Sequence, residues 1–306
     1  MKSDIKYVSY TEIDFIKWDA CIENSLNGIV FAYSWYLKSV SDEWDALILN
    51  DYDAVFPITR KSKFGLNYFY NPIFALQLGV FSKVTLSNDL INRFINCIPS
   101  KIKLIDINLN FGNKLIDSSF DISDKSCQFI DLKDNYEIIF QKYSTNLKRN
   151  LTKAKKNNLE IVLSLNTENV VKLFKENRGG ALKEITEDHY FRLNTLLAEM
   201  QKRKIGKIYE CWLGKELIAS AFFSITNNRI IYIKGGTTQK GRDLGAMHFI
   251  MDEVIHLNSK SNLIFDFGGS SIPQVVRFNH TFGANDYVYQ RLYRNRLPFF
   301  LKLLKK

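Results

Sequence analysis

The sequence predicts an ordered α/β protein. Strand-like and helix-like segments alternate along its 306 residues, and aromatic residues make up 14% of the chain, a combination typical of packed α/β cores. The chain is long enough for one large domain or two medium ones. It contains no low-complexity stretch, and a polar, hydroxyl-rich segment near Ser118–Lys125 is the predicted boundary between two halves.

The C-terminal half has the clearest pattern of elements. Apolar residues at helical spacing predict one long helix over Asn135–Asn158, whose outer face is rich in lysine. A later helix is expected to be capped by Thr186, with acidic residues in its first turn. The remaining predictions are a helix from Thr167 and the strands Leu159–Leu165, Ile208–Leu213, Leu217–Ile225, Leu263–Phe267 and Tyr287–Tyr293.

The most informative segment is Ile231–Ala246, where an apolar strand leads into a loop rich in glycine, hydroxyl and basic residues. A helix is predicted to follow, with the buried stripe Ala246, Ile250, Val254 and Leu257. The first N–H groups of a helix lack intrahelical partners, and the helix dipole adds positive charge there. The loop is therefore predicted to bind an anion, most plausibly a pyrophosphate. The candidate residues are Gly235, Gly236, Gln239, Lys240, Gly241, Arg242, Gly245 and Ala246.

This segment does not match the common nucleotide-binding patterns. It has neither the Walker spacing of glycines before Gly-Lys-Ser/Thr nor the dinucleotide Gly-x-Gly-x-x-Gly. A solvated turn that uses glycine for its backbone angles is the alternative interpretation. The context of a preceding strand and a following helix favours the anion loop.

The segment resembles the pyrophosphate loop of the GNAT acyltransferase superfamily, whose pattern is close to Gln/Arg-x-x-Gly-x-Gly/Ala. Arg242 and Gly245 match, while Met247 takes the last small position. The later segments Asp266–Gly269 and Phe278–Gly283 resemble the Fem-type aminoacyltransferases and their BioF2-like relatives. The resemblance covers roughly residues 128–295.

The resemblance implies two tandem GNAT-like domains, each a mixed, mostly antiparallel sheet flanked by helices. The first domain, 1–124, would be degenerate, and the second, 125–306, would carry the acyltransferase site. A weak internal echo fits this division, since a strand–turn–strand unit at Ala46–Ile58 is similar to the one at Cys211–Ser224. The first copy lacks a glycine-rich basic loop.

The resemblance further implies transfer of an acyl group from acyl-CoA to an amine or hydroxyl, with a cell-envelope precursor as the leading acceptor. Fem-type enzymes have a lysine at the position of Asn279. Asparagine cannot supply that positive charge, and the adjacent His280 is the candidate to supply it instead. This departure favours acyl-CoA over aminoacyl-tRNA as the donor. An aminoacyl-tRNA-dependent peptidoglycan-bridge enzyme and a noncatalytic GNAT-fold binding protein are the alternatives.

Acyl transfer to an amine requires that the acceptor lose a proton, because a lysine-type amine has a pKa of about 10.4. The candidate acid–base residues are Asp266, Glu210 and Tyr232, each on a predicted strand. Asp266 stands out because its strand is otherwise apolar and an unpaired buried carboxylate is costly. The structural alternative is an ion pair with an arginine such as Arg277, or a cap for the helix near Pro273.

Three further residues are candidates for substrate binding. Lys234 is at a strand end, and Arg178 precedes two glycines. His280 lies in the segment Phe278–Gly283, which is called the closing motif below. The alternatives without a binding role are that Lys234 is an exposed lysine at a strand end and that Arg178 marks an ordinary helix end. The four cysteines form no CxxC pair and the four histidines are scattered, so no metal site is predicted.

The formal net charge of +10 predicts anionic partners or a solvated basic surface. The tail Leu297–Lys306 mixes apolar and basic residues, which indicates either an anionic membrane surface or a docked helix. No motif for sequence-specific nucleic-acid binding is present. Without an apolar leader or a spanning run, the predicted location is the cytoplasm. If the tail binds a membrane surface, the protein would be peripheral to the inner membrane face.

Overall fold

The computed structural model describes residues 4–63, 66–116, 119–177, 179–269 and 272–298. Two features named in the sequence analysis lie outside these residues, namely Arg178 and residues 299–306 of the C-terminal tail.

The chain separates into two compact units. Unit 1 comprises residues 1–126 and 288–306, and unit 2 comprises residues 127–287. The predicted domain boundaries of 1–124 and 125–306 stay a prediction.

Strands and helices alternate through both units, as the sequence predicts for an α/β protein. The strands are β1 (Ile5–Val8), β2 (Trp44–Leu49), β3 (Ala54–Lys63), β4 (Leu66–Tyr70), β5 (Phe81–Ser82), β6 (Leu104–Asn108), β7 (Asp121–Asp131), β8 (Leu159–Ser164), β9 (Gly206–Leu213), β10 (Glu216–Thr226), β11 (Arg229–Thr237), β12 (Ile264–Asp266) and β13 (Asn285–Asn295). The α-helices are α1 (Phe15–Asn24), α2 (Ser34–Val40), α3 (Asn88–Asn96), α4 (Tyr136–Gln141), α5 (Thr145–Lys156), α6 (Thr167–Glu176), α7 (Glu187–Lys202), α8 (Gln239–Leu244), α9 (Ala246–Asn258) and α10 (Pro273–His280).

In unit 1 the strands pair in the order β1-β2-β3-β4-β6-β13. All of these pairs are antiparallel except β4 with β6, which run parallel. One face of the sheet packs on α3, where Leu90, Ile91 and Phe94 meet Phe69 and Ile105 in a common core. The alternation of side chains along β4 and β6 places polar and aromatic residues on the opposite face.

In unit 2 the order is β7-β12-β11-β10-β9-β8, and only β11 with β12 are parallel. The two units share one pairing pattern when unit 1 is followed from β1 and unit 2 from β8. In each, three antiparallel pairs are followed by a parallel pair and then by another antiparallel pair. Helices α5 and α9 pack on one face of the unit 2 sheet and α6 and α7 contact the strands from the other. This arrangement buries much of the central strands β9, β10 and β11, which explains their apolar residues, whereas the edge strand β8 is partly exposed.

Several sequence predictions are confirmed in unit 2. Thr186 is the N-cap of α7, and β9 and β10 form a hairpin with Gly214 at φ +58°. The turn between β10 and β11 uses Asn227 and Asn228, both at positive φ, as a tight hairpin turn requires.

Other predictions need correction. The single helix predicted over Asn135–Asn158 is two helices, because Ser144 accepts a hydrogen bond from the Leu147 N–H and so starts α5 anew. The stripe of α9 includes Ala246, Ile250 and Val254 but not Leu257, which is 58% exposed.

No helix in the described ranges combines the length and apolar character needed to cross a membrane.

Candidate active site

A break in the ladder of β11 is the central feature of unit 2. The β10–β11 register pairs Phe222 with Lys234 but Phe223 with Tyr232, which leaves Ile233 as the extra residue of a β-bulge. Because of this bulge, side chains two positions apart point to opposite faces. Tyr232 packs with Phe223 in the core beneath α9, and Lys234 lies on the face covered by α6.

The parallel ladder between β11 and β12 ends next to the bulge. Its last pair is Ile231 with Asp266. The Phe267 N–H donates to the Gln128 carbonyl at 3.0 Å, which continues the pairing of β12 with β7. The chain after β12 stays near β11, since a Cβ on Gly268 would lie 2.3 Å from the Tyr232 carbonyl oxygen. The β11–β12 ladder thus ends beside the bulge, and the end of a ladder leaves backbone groups that need other partners.

The segment after β11 differs from the predicted loop. Lys234 to Thr237 belong to the strand, and residues 239–244 form the short helix α8. Thr238 caps α8 by accepting a hydrogen bond from the Gly241 N–H at 3.1 Å. Gly245 adopts the left-handed conformation with φ +75°, and α9 begins directly after it. The predicted loop is thus a strand end and a helix–glycine–helix corner.

Close backbone packing explains three of the candidate glycines. A Cβ on Gly236 would lie 2.2 Å from the Leu173 carbonyl oxygen of α6, and one on Gly241 would lie 2.3 Å from the Ile218 carbonyl oxygen. A Cβ on Gly235 would lie 2.5 Å from the Ser220 carbonyl oxygen. These contacts account for glycine at each position, and a role for these residues in cofactor binding stays a prediction.

The polar candidates of the corner are bound to neighbouring groups. Lys240 forms an ion pair of 2.5 Å with Glu216. Arg242 donates to the Thr237 carbonyl at 3.1 Å and to the Gln239 side chain at 2.7 Å. All of these side chains are exposed or half-buried, so an anionic ligand would have to exchange with these partners.

Helix α5 contributes a surface that the loop motif alone does not indicate. The Lys153 ammonium donates to the Asp243 carbonyl at 2.6 Å, and Gly245 lies against Asn150, whose Cβ would be 3.2 Å from a Cβ on the glycine. The lysine-rich face of α5 thus lies beside the start of α9. The basic run in the sequence is the signal for this surface, but its position beside the loop depends on tertiary packing.

Asp266 is buried and its carboxylate accepts from four donors. Arg229 donates at 2.8 Å and Tyr287 at 2.8 Å to one oxygen. The Gly268 N–H at 2.9 Å and the Cys127 thiol at 3.2 Å donate to the other. The expected ion pair exists, but its partner is Arg229 on the adjacent strand and not Arg277. The α10 helix near Pro273 has no side-chain cap.

Glu210 is also buried, on the face of the sheet that α6 covers. One of its oxygens accepts from the Asn169 amide at 2.8 Å and the other from the Trp212 indole at 3.2 Å. Both hydrogen bonds come from neutral donors, which compensate the carboxylate less than an arginine does. Its catalytic role stays a prediction.

Burial changes the proton affinity of two candidates on β11. It raises the pKa of the Tyr232 phenol, so the hydroxyl stays protonated. It lowers the pKa of Lys234 to about 8, because a charged ammonium is poorly solvated there. The Lys234 ammonium lies 5.2 Å from the centre of the Phe174 ring in α6. The pKa of Lys234 therefore lies well below that of an ordinary lysine.

The closing motif separates a buried residue from an exposed one. Asn279 is buried and donates to the Gln128 side chain at 3.0 Å. His280 is 41% exposed in its side chain and lies 3.4 Å from Asp286. Phe278 packs on His248 at the start of α9, with 4.5 Å between ring centres. The motif thus closes the core beside α9.

The bulge at Ile233, Lys234 and the α8–α9 corner follow one another along β11 and the chain directly after it. Asp266 lies on β12, adjacent to β11, and Glu210 lies two strands away on β9, each with its own hydrogen-bond partners. Within the described ranges, no group of three His, Cys, Asp or Glu side chains is arranged to hold a metal ion.

No model of a known protein family matches this sequence, and no curated protein matches it. Solved structures do match over nearly the whole chain. FemX has 12% identity and a TM-score of 0.67, with 98% of this chain and 99% of that one covered. A conserved protein of unknown function from Bacteroides thetaiotaomicron has 8% identity and a TM-score of 0.61, covering 96% and 99%. L-PGS from Bacillus licheniformis has 11% identity and a TM-score of 0.58, covering 94% of each.

At these identities the matches establish the fold alone. The chain has a mixed α/β fold with mostly antiparallel strand pairing, similar to that of FemX and L-PGS. The fold that the sequence resemblance implied is confirmed at this level.

Proposed function

We propose that this protein is an acyltransferase that moves an acyl group from acyl-CoA to an amine or hydroxyl acceptor. The observation that carries the proposal is the bulge at Ile233, placed where the β11–β12 ladder ends. Acyl transfer builds negative charge on the carbonyl oxygen, and fixed backbone N–H groups at such a site stabilise it. Direct transfer of this kind needs no side-chain nucleophile.

The α8–α9 corner is the proposed site for the pyrophosphate of coenzyme A. Helix α9 has 13 residues, and Gly245 before it turns the chain at φ +75° and lies against Asn150 of α5. Lys240, Arg242 and Lys153 lie around this corner. Because their present partners include carbonyl oxygens and an exposed carboxylate, a pyrophosphate can replace these contacts with stronger charge-assisted ones.

Lys234 is the proposed residue for proton transfer and substrate contact. It follows the bulge by one position, and burial brings its pKa to about 8. A group that titrates near the working pH is suited to accept a proton from an ammonium acceptor. Glu210, on the same face of the sheet, and Tyr232, on the opposite face, remain further candidates, and Asp266 is better suited to hold Arg229 and the turn at Gly268.

Transfer from aminoacyl-tRNA is the second candidate. The similarity to FemX over 98% of the chain supports it, as does the lysine-rich surface of α5 beside the corner. Burial of Asn279 against Gln128 weighs against it, because neither Asn279 nor the exposed His280 supplies a fixed cation there. A cell-envelope acceptor is proposed on the sequence resemblance alone, and a location at the inner membrane face on the mixture of apolar and basic residues in Leu297–Lys306.

Thermal melting with acetyl-CoA and longer acyl-CoAs tests the proposal. A ligand at about 100 times its dissociation constant stabilises the folded state by about 2.7 kcal/mol, which raises the melting temperature. The shift should be smaller in Arg242→Ala. Arg203→Ala is the matched control, because Arg203 also makes an exposed side-chain contact, to Glu199 at 2.7 Å, but on α7.

Three outcomes separate the candidates. A shift that Arg242→Ala loses and Arg203→Ala keeps supports acyl-CoA binding at the corner. No shift with any acyl-CoA, together with retention of aminoacyl-tRNA on a filter, favours the second candidate. Absence of both would leave a noncatalytic binding protein with this fold.

A further inference from the structure

The face of the unit 1 sheet that points away from α3 carries an unusual set of side chains. The register places Tyr70 of β4, Asp106 of β6 and Tyr293 of β13 in one row across three adjacent strands. Tyr68 precedes Tyr70 on the same face of β4. None of these residues belongs to the acyl-transfer site in unit 2.

Two hollows of about 480 Å³ each lie on this face. Asp106 and Arg291 line both of them. One hollow is completed by Tyr68 and Tyr70, and the other by Tyr293. Each volume suits a small ligand or one part of a longer one. The two hollows meet at the shared residues Asp106 and Arg291, and together they are called the groove.

Asp106 and Arg291 form a two-pronged ion pair. The Arg291 Nε lies 2.7 Å from one Asp106 oxygen and Nη2 lies 2.8 Å from the other. The side chains are 30% and 38% exposed. A pair this accessible adds little to folding stability, but it fixes a carboxylate and a guanidinium side by side, with acceptor lone pairs and an N–H group left for a ligand.

Aromatic rings flank this pair. The rings of Tyr68 and Tyr70 are 5.6 Å apart, and the Lys61 ammonium lies 4.9 Å from the centre of Tyr70. On the other side the Arg291 guanidinium lies 5.4 Å from the centre of Tyr293. Half-buried tyrosines offer an apolar ring face together with a hydrogen-bonding hydroxyl.

We infer that this groove of unit 1 binds a neutral saccharide. A sugar ring has an apolar C–H face that packs on an aromatic ring, and adjacent hydroxyls that pair with a carboxylate and a guanidinium. The lining carries charges of both signs, Asp106 and Asp121 with Arg291 and Lys125, and Asp106 offsets the charge of Arg291 directly. A neutral, hydroxyl-rich ligand can use these acceptors and donors alike. The inference rests on unit 1 alone and does not depend on acyl transfer in unit 2.

Calorimetric titration with cellotetraose, chitotetraose and maltotetraose tests it. At least one of these neutral tetrasaccharides should bind the wild-type protein. Tyr70→Ala should weaken that binding about tenfold through loss of the ring contact, and Tyr70→Phe should retain most of it. Arg291→Met should reduce binding at least as much as Tyr70→Ala. Arg192→Met is the matched control, because Arg192 pairs with Asp188 at 2.7 Å in unit 2.

The inference is overturned if none of the three tetrasaccharides binds. It is also overturned if Tyr70→Ala binds as tightly as Tyr70→Phe, with circular dichroism showing that both are folded. Displacement of the bound tetrasaccharide by inorganic pyrophosphate would contradict a neutral-ligand site. If Arg291→Met does not fold, the comparison of the two Tyr70 variants decides.

Discussion

Asp266 shows what a sequence can reveal about a single residue. A carboxylate in an otherwise apolar strand indicates a buried and compensated charge, and the structure confirms that Asp266 has an arginine partner. The identity of the partner was not predictable from local sequence. Arg229 is 37 positions away and becomes a neighbour only because β11 and β12 run parallel.

Asp266→Asn tests whether this carboxylate is structural. Removing the negative charge leaves Arg229, only 9% exposed, without its counter-charge. Breaking a buried ion pair in this way costs about 3 kcal/mol, which urea denaturation would measure. Arg229→Met combined with Asp266→Asn should recover part of the loss. A single variant as stable as the wild type but inactive in acyl transfer would instead assign a catalytic role.

Lys234 gives a pH-dependent prediction. Its pKa is about 8 in the folded protein, and that of an unfolded lysine is about 10.4. Between these values the unfolded chain binds more protons, so the free energy of unfolding rises with pH. Below pH 8 both states are charged and the contribution is smallest.

Lys234→Met removes this contribution. The stability of the wild type relative to the variant should rise from pH 8 to pH 10.4, by at most about 1.4 kcal/mol per pH unit. Urea denaturation of both proteins at pH 7, 8, 9 and 10 measures it, and other titrating groups cancel in the difference. Parallel curves over this range would contradict the lowered pKa.

At the scale of elements, most helices and strands of unit 2 were predictable because their apolar periodicity and caps are local. The bulge at Ile233 was not predictable, because the residues of Arg229–Thr237 have the pattern of an ordinary strand with an apolar first half. The break between α4 and α5 was missed because the apolar stripe continues across Ser144. The Ser144 N–H donates to the Thr281 carbonyl at 2.8 Å, a contact that only the folded chain provides.

The glycines of β11 illustrate the same limit. The sequence pattern predicts Gly235 and Gly236 in an anion loop, whereas in the structure both lie in β11, where their small size lets neighbouring backbones approach. The two interpretations predict the same residue type for different reasons. Only the neighbouring backbone, here the Leu173 carbonyl of α6, distinguishes them.

Gly236→Ala tests the packing explanation. The added Cβ would lie 2.2 Å from a backbone oxygen that α6 must move to accommodate, so a loss of more than about 2 kcal/mol is expected, as for overpacked cores. Gly214→Ala is the control, since its Cβ meets nothing within 4 Å and it carries only the strain of φ +58°, about 1 kcal/mol. Equal losses in urea denaturation would contradict the explanation.

For the whole molecule, the internal echo in the sequence corresponds to a shared pattern of strand pairing in the two units. Unit 1 lacks a counterpart of the glycine corner after β4, where the segment before α3 contains the single glycine Gly79. The acyl-transfer proposal therefore concerns unit 2. The saccharide groove of unit 1 depends on side chains from three strands distant in sequence, and no local motif indicates it.

Hydrogen–deuterium exchange with and without saturating acetyl-CoA directly tests whether unit 2 binds acyl-CoA. We expect slower exchange of the amides from Tyr232 to His248, because the bulge and the start of α9 would hold the thioester and the pyrophosphate. Free coenzyme A should protect the α9 start but not the bulge. Unchanged exchange across this segment, or protection confined to unit 1, would contradict an acyl-CoA site at the β11–α9 corner.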